Sequence, residues 1–189
     1  MRPSVSAFLL RLAGWRVDDE VPGEPKYVCL AVPHTSNWDG LLLVLVARSL
    51  GLHISWLIKQ EAMRGPAGWL LRRLGALPVD RRSPGHLVQQ LASSFRERDA
   101  LVLVVPPEGT RGKAENWKSG FYRIAREAGV PVVPTYLDFG RKRAGLGPAI
   151  HLTGDVKRDM DAIRAYYDKV RPVPRFPEKF GPIRLGDED

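Results

Sequence analysis

The stretch at residues 26–39, KYVCLAVPHTSNWD, decides how the rest of the chain is interpreted. Its apolar beginning, which extends to Val32, is typical of a buried β-strand. Residues 35–37 (TSN) favour turns and helix caps, and residues 38–50, which are rich in Leu and Val, predict an α-helix. The stretch therefore predicts a strand, a turn and a helix, with His34 at the end of the strand.

His34 and Asp39 are separated by four residues, which limits how their side chains can meet. In a continuous α-helix the two side chains would point about 140° apart, and in a continuous strand they would lie about 16 Å apart. Because residues 35–37 supply a turn, the side chains can approach each other across it. Asp39 then falls in the first helical turn, where an acidic residue suits the helix dipole. A paired His and Asp can activate a hydroxyl group.

Strand and helix patterns alternate along the rest of the chain. Further strands are predicted at 53–58, 76–79, 101–105, 131–137 and 149–152, and further helices at 65–74, 84–98, 118–128 and 159–170. This alternation predicts an α/β fold: a single domain with a mostly parallel central sheet flanked by helices. Since ligands bind beyond the carboxyl ends of parallel strands, we expect His34 and Glu108, which both follow apolar strands, at the same edge of the sheet.

Composition indicates a globular protein with anionic partners. The chain of 189 residues is 44% apolar and carries a net charge of +8. Its one cysteine, Cys29, lies in a predicted strand and fits a reduced, cytoplasmic setting. No apolar stretch is long enough to cross a bilayer, no secretory signal is convincing, and no nucleic-acid motif accompanies the charge.

The N-terminal residues predict an amphipathic helix. Val5, Phe8, Leu9 and Leu12 share one helical face, which could lie in a membrane interface or pack on the core of the protein. We therefore divide the chain into three parts. These are an N-terminal helix at residues 1–17 with possible membrane-interface contact, a central domain at residues 18–171 and a Pro-rich tail at residues 172–189.

The order of the motifs resembles that of the glycerolipid acyltransferase family, also called the lysophospholipid acyltransferase family. Residues 34–39 are similar to the family's His-x4-Asp block, and PEGTR at residues 107–111 is similar to its most specific block. GALPVDR at residues 75–81 and VPVVP at residues 130–134 resemble the two weaker blocks. Lys59 stands where family members often carry a lysine. The resemblance implies a glycerolipid-acyltransferase-like α/β fold.

The resemblance also implies an O-acyltransferase of the HX4D type. His34 would act as the general base and Asp39 would orient its imidazole. The residues expected to bind the substrate are Glu108, Gly109, Thr110, Arg111, Arg81 and Lys59, and among them Arg111 suits a phosphate through its planar guanidinium.

The implied partners are lipids and a thioester. Acyl-CoA or acyl carrier protein would be the co-substrate, with no cofactor and no metal, and the acceptor would be a lysophospholipid such as lysophosphatidic acid. The protein would be cytoplasmic and peripheral on the inner face of an anionic membrane. Two alternatives remain open: a thioester or lipid hydrolase using the same His–Asp pair, and a non-enzymatic protein that binds anionic lipid.

Overall fold

The computed structural model describes residues 4–63, 65–73, 75–79 and 84–186. The helices in this part of the chain are α1 (Val5–Leu12), α2 (Asn37–Ser49), α3 (Gly65–Arg73), α4 (Pro84–Arg96), α5 (Gly120–Ala128) and α6 (Val156–Val170). The strands are β1 (Arg16–Val17), β2 (Lys26–Ala31), β3 (Ile54–Lys59), β4 (Ala76–Val79), β5 (Leu101–Val105), β6 (Val132–Asp138) and β7 (Arg143–Leu146).

These strands form one sheet in the order β1-β7-β6-β2-β5-β3-β4. Every neighbouring pair is parallel except β6 and β7. The prediction of a single α/β domain with a mostly parallel central sheet is therefore confirmed. Strand β2 lies between β5 and β6, and Leu30 pairs with Val105 on one side and with Pro134 on the other.

Strand β2 is buried on both faces, as its unbroken apolar sequence predicts. Val28 and Leu30 pack in one hydrophobic cluster, whereas Tyr27 and Cys29 pack in a second cluster on the other face. The burial of alternate residues on opposite faces follows from the two-residue repeat of a strand. This double burial fixes the position of the strand end from which His34 follows.

One predicted strand is wrong. Residues 149–152 contribute only an isolated bridge, in which Ile150 pairs with Val132. The strand at this side of the sheet is β7, which runs antiparallel to β6 after a short turn in which Lys142 has a φ of 48°. Its sequence, RAGL, contains a glycine and too few apolar residues for a clear strand pattern, so its pairing with β6 decides its structure.

Helix α1 has a buried side and an exposed side. Ser4 caps the helix by accepting a hydrogen bond from the Ala7 N–H at 3.1 Å. Leu10 packs against residues of α2, whereas Phe8 and Leu12 are exposed. Because β1 follows this helix and joins the sheet, residues 4–17 form part of the packed domain. None of the helices in the described part of the chain has the length and apolarity needed to cross a membrane.

The C-terminal residues are packed, although they contain little regular structure. A 3-10 turn spans Pro177–Lys179, and the main-chain N–H of Trp117 donates to the carbonyl of Arg184 at 2.7 Å. Leu185 is buried among the core residues. These contacts hold the segment after α6 against the domain, and its position could not be inferred from composition.

Candidate active site

The two principal motifs meet at one edge of the sheet. The His34 N–H donates to Oε2 of Glu108 at 3.3 Å, and the Arg111 guanidinium donates to the side-chain oxygen of Asn37. The meeting follows from the topology, because β2 and β5 are parallel neighbours and the two motifs begin after their carboxyl ends. The expected common location of His34 and Glu108 is confirmed.

Asp39 closes the turn that follows His34. Its Oδ2 accepts hydrogen bonds from the main-chain N–H groups of Thr35 at 2.6 Å and Ser36 at 2.7 Å. Its Oδ1 accepts from the Ser36 hydroxyl at 2.6 Å. Ser36 and Asp39 thereby form a capping box at the start of α2. These bonds hold a buried carboxylate close to the imidazole, and in the described structure Asp39 affects His34 through its charge rather than through a hydrogen bond to the ring.

His34 is half-buried, and its environment favours the neutral imidazole. Burial lowers the pKa of His34, the nearby Arg111 cation lowers it further, and the Asp39 charge opposes both effects. The net direction is downward, because removal from water is the largest influence. A neutral imidazole near pH 7 can accept a proton, which is the state that a general base requires.

Glu108 is the second buried carboxyl group near His34. It is 2% exposed, and burial raises its pKa to about 7, with the Asp39 charge adding to the rise and the His34 N–H opposing it. Its second oxygen, Oε1, is buried and has no hydrogen-bond partner. Glu108 therefore lies beneath the His34 main chain as a carboxyl group that is only partly ionised near neutral pH.

The loop after Glu108 turns at a position where glycine is required. Gly109 has a φ of 68°, and a Cβ there would lie 3.0 Å from Cγ of Lys118. Thr110 and Arg111 follow on the exposed side of the loop, and the Thr110 hydroxyl accepts the N–H of Gly112 at 3.1 Å. The turn thus directs Arg111 towards the first turn of α2, where Asn37 receives it.

The two weaker candidates are described only in part. Lys59 is the last residue of β3, which is parallel to β5, so its main chain lies at the same edge of the sheet. Its side chain is not described. Arg81 lies outside the described residues.

Sequence reasoning missed the contribution of the C-terminal segment to this edge. The Phe176 N–H donates to the hydroxyl of buried Thr35 at 3.4 Å, and the Arg175 guanidinium lies 5.4 Å from the ring centre of Trp38. Both partners belong to the His34–Asp39 turn. These contacts join residues more than 130 positions apart, so no local sequence pattern predicts them.

Residues 16–138 match the model of the family described as Acyltransferase. The chain belongs to the acyltransferase family. It is similar to the 1-acyl-sn-glycerol-3-phosphate acyltransferase of Pseudomonas aeruginosa, with 30% identity over 155 residues that cover 71% of this chain and 58% of that protein. It is also similar to the protein of the same name from Streptococcus pneumoniae, with 25% identity over 117 residues, or 61% of this chain and 43% of that protein. The chain thus spans about half the length of these curated relatives.

A solved structure supports the family fold. The 1-acyl-sn-glycerophosphate (LPA) acyltransferase PlsC from Thermotoga maritima superposes with a TM-score of 0.56 at 18% identity, covering 87% of this chain and 73% of that one. At 18% identity this likeness is evidence of the fold alone. The family match includes the His34 turn and the Arg111 loop.

Proposed function

We propose that the protein transfers a fatty acyl group from a thioester, acyl-CoA or acyl carrier protein, to a hydroxyl of a lysophospholipid such as lysophosphatidic acid. Membership of the acyltransferase family and the names of the curated relatives support this reaction. The observation that carries the proposal is His34, whose lowered pKa and position beside the Arg111 loop suit a base next to an anionic substrate.

In the proposed reaction His34 removes a proton from the acceptor hydroxyl. The freed oxygen forms a bond with the thioester carbonyl carbon, the carbon–sulfur bond breaks, and the thiol product takes the proton from the imidazolium. The Asp39 charge stabilises the imidazolium while it exists, since that charge favours protonated His34. No covalent acyl-enzyme is needed, because the substrate supplies the hydroxyl.

The Arg111 guanidinium would bind the acceptor phosphate. It is exposed, and its bond to the side-chain oxygen of Asn37 occupies one of its nitrogens while leaving other donors for a ligand. The other proposed substrate-binding residues are Glu108, Gly109 and Thr110 of the same loop, together with Lys59 and Arg81. Anchoring the phosphate beside Asn37 would hold the acceptor hydroxyl near His34, and such positioning lowers the entropic barrier to attack.

The exposed apolar side of α1 would attach the protein to a membrane. Phe8 and Leu12 are 62% and 75% exposed, and Trp38 and Leu41 of the adjoining α2 are also exposed. Because Trp38 belongs to the His34–Asp39 turn, this apolar surface would bring the active site to the lipid layer from which an acceptor is drawn. We therefore propose a cytoplasmic protein that is peripheral on the inner face of an anionic membrane.

The reaction is tested by incubating the protein with acyl-CoA or acyl carrier protein and a panel of lysophospholipids, and identifying products by mass spectrometry. We expect a diacyl product and equimolar free thiol. Release of free fatty acid irrespective of acceptor would instead identify a hydrolase, and lipid binding without thioester consumption would identify a binding protein.

Membrane attachment is tested by flotation with vesicles of phosphatidylethanolamine and phosphatidylglycerol. The substitutions Phe8→Ser and Leu12→Ser should reduce flotation, whereas Val21→Ser, at another exposed apolar residue, should not. Point substitutions suit this test better than removal of residues 1–17, because that deletion would remove buried Leu10 and Trp15 and strand β1. Equal flotation of all variants would reject attachment through α1.

A further inference from the structure

We propose that Arg175 is a second anion-binding residue, whose guanidinium binds a phosphate group of a substrate beside the His34–Asp39 turn. The inference rests on the proposed function and extends it to the C-terminal segment. Arg175 lies beyond residues 16–138, the region that matches the family model, so nothing in that match assigns it a role. From the sequence, the segment that carries it was described only as a Pro-rich tail.

The position of Arg175 is fixed by hydrogen bonds on both sides of it. The Phe139 N–H donates to the carbonyl of Val173 at 2.9 Å, and the Phe176 N–H donates to the Thr35 hydroxyl at 3.4 Å. The first bond ties the segment to the end of β6, and the second ties it to the His34–Asp39 turn. Arg175 lies between these two attachments, so its main chain is held against the active site.

Two prolines restrict the same segment. Pro172 and Pro174 alternate with Val173 and Arg175, and Pro174 is buried. A proline ring fixes its own φ, and Pro174 also disfavours helical geometry at Val173, so the segment loses little entropy when it binds a ligand. A residue on such a segment is a better ligand-binding group than one on a mobile tail, because less ordering is required.

The Arg175 guanidinium lies against three aromatic rings. Its guanidinium carbon lies 5.4 Å from the ring centre of Trp38 and 5.8 Å from those of Phe139 and Phe176. In the described part of the chain no carboxylate forms an ion pair with it. Contact with aromatic faces orients a guanidinium while leaving the N–H groups at its edge free to bind an oxyanion.

Arg175 and Arg111 flank the same helical turn. Asn37 accepts a hydrogen bond from Arg111, and the ring of Trp38 contacts the Arg175 guanidinium. Asn37 and Trp38 are consecutive residues of the first turn of α2. Successive helical side chains diverge by about 100°, so the two cations reach this turn from different sides. The acidic group of the turn, Asp39, is buried, and both of its oxygens accept hydrogen bonds. The exposed surface therefore offers two separate guanidinium groups, each of which suits a phosphate.

The phosphate could come from the acceptor lipid or from the thioester donor, and kinetics separate these sources. We compare Arg175→Met with Lys179→Met, a matched control that removes a cation stacked on Phe176 in the same segment. The substrates are lysophosphatidic acid, the monoacylglycerol with the same acyl chain, and acyl-CoA. Arg175→Lys tests whether the planar fork or the charge alone is required.

For Arg175→Met we expect the KM for lysophosphatidic acid to rise about tenfold, the effect of losing a hydrogen bond to a charged group, with little change in kcat. The KM for monoacylglycerol and the behaviour of Lys179→Met should stay unchanged. A rise in the KM for acyl-CoA instead would assign the phosphate to the donor and would still support the proposal. Equal losses with the phosphate-bearing and phosphate-free acceptors, or no loss with any substrate, would overturn it.

A binding measurement keeps this inference separable from the proposed reaction. Short-chain lysophosphatidic acid is titrated into the His34→Ala protein with and without Arg175→Met, and tryptophan fluorescence is followed because Trp38 lies against Arg175. Binding that weakens about tenfold on loss of Arg175 supports the inference even if the wild-type protein transfers no acyl group. Acyl-CoA is titrated in parallel, and binding of both ligands that is unaffected by Arg175→Met overturns the inference even if transfer is observed.

Discussion

Two carboxyl groups near His34 are equally buried but have different partners. Asp39 and Glu108 are each 2% exposed. Asp39 accepts three hydrogen bonds from Thr35 and Ser36, all within four residues of it, whereas Glu108 accepts one long hydrogen bond from the His34 N–H, 74 residues away. Equal burial therefore does not give two carboxyl groups the same environment, because the donors that surround them differ.

Asp39 and Glu108 therefore affect His34 in different ways. The Asp39 charge raises the pKa of His34 against the effect of burial and so favours the imidazolium. Glu108, whose pKa is raised to about 7, is only partly ionised near neutral pH. It accepts a hydrogen bond from the main-chain N–H of His34. One group acts through its charge and the other through its position, and four substitutions test this division.

The largest effect is expected from His34→Ala, which removes the group that both carboxyls flank. Because general-base assistance contributes about 10²–10⁴-fold, kcat should fall by that factor. The fold should persist, since the imidazole lies at the surface of the loop and is only half-buried. Steady-state acyl transfer and thermal unfolding measure the two quantities, and near wild-type kcat in a folded variant would remove His34 from the mechanism.

Asp39→Asn should reduce both activity and stability. The amide oxygen can accept the N–H groups of Thr35 and Ser36, but its NH₂ group can no longer accept the Ser36 hydroxyl, and the remaining hydrogen bonds lose the charge that strengthens them. We expect the free energy of unfolding to fall by about 2 kcal/mol, because hydrogen bonds to a charged group are replaced by weaker neutral ones. Urea denaturation measures this change. A variant as stable as the wild type would mean that the turn does not depend on these bonds.

Glu108→Gln should change stability in a pH-dependent way. Since burial raises the pKa from its ordinary value of 4.5 to about 7, the folded protein keeps a proton that the unfolded chain releases in this window. The contribution of Glu108 to wild-type stability therefore falls as the pH rises from 4.5 to 7, by about 3 kcal/mol at most, and the glutamine variant lacks this loss.

The measurement is urea denaturation of both proteins at pH 5 and at pH 8. His34 titrates in both proteins, so its contribution largely cancels in their difference. Glu108→Gln should gain stability relative to the wild type at pH 8 compared with pH 5. The same difference at both pH values would show that Glu108 is ionised normally and that the contrast with Asp39 is incorrect.

The smallest effect is expected from Ser36→Ala, which removes one hydrogen bond from Asp39 and retains its charge. Loss of a helix-capping hydroxyl costs about 1 kcal/mol. The Thr35 and Ser36 N–H groups still bind Oδ2, so kcat should fall much less than in Asp39→Asn. An equal loss of activity in the two variants would indicate that the orientation of Asp39, rather than its charge, supports His34.

Local sequence was sufficient for the first half of this site. The strand, turn and helix at residues 26–50 were predicted because apolar runs, capping residues and an acidic first turn act over a few residues. The common location of the two motifs could then be predicted from the alternation of strands and helices, because parallel strands bring the loops after β2 and β5 to one edge of the sheet. Strand β7 was missed because its sequence, RAGL, has only a weak strand pattern, and its pairing with β6 is what makes it a strand.

The sequence by itself determined the family motifs, the α/β architecture and the meeting of His34 with the Arg111 loop. Only the tertiary structure decided which donors surround each carboxyl group and that Arg175 returns to Trp38. The physical reason is the range of the interactions. Periodicity and capping act between near neighbours, whereas desolvation and the stacking of a distant guanidinium depend on residues that only the folded chain brings together.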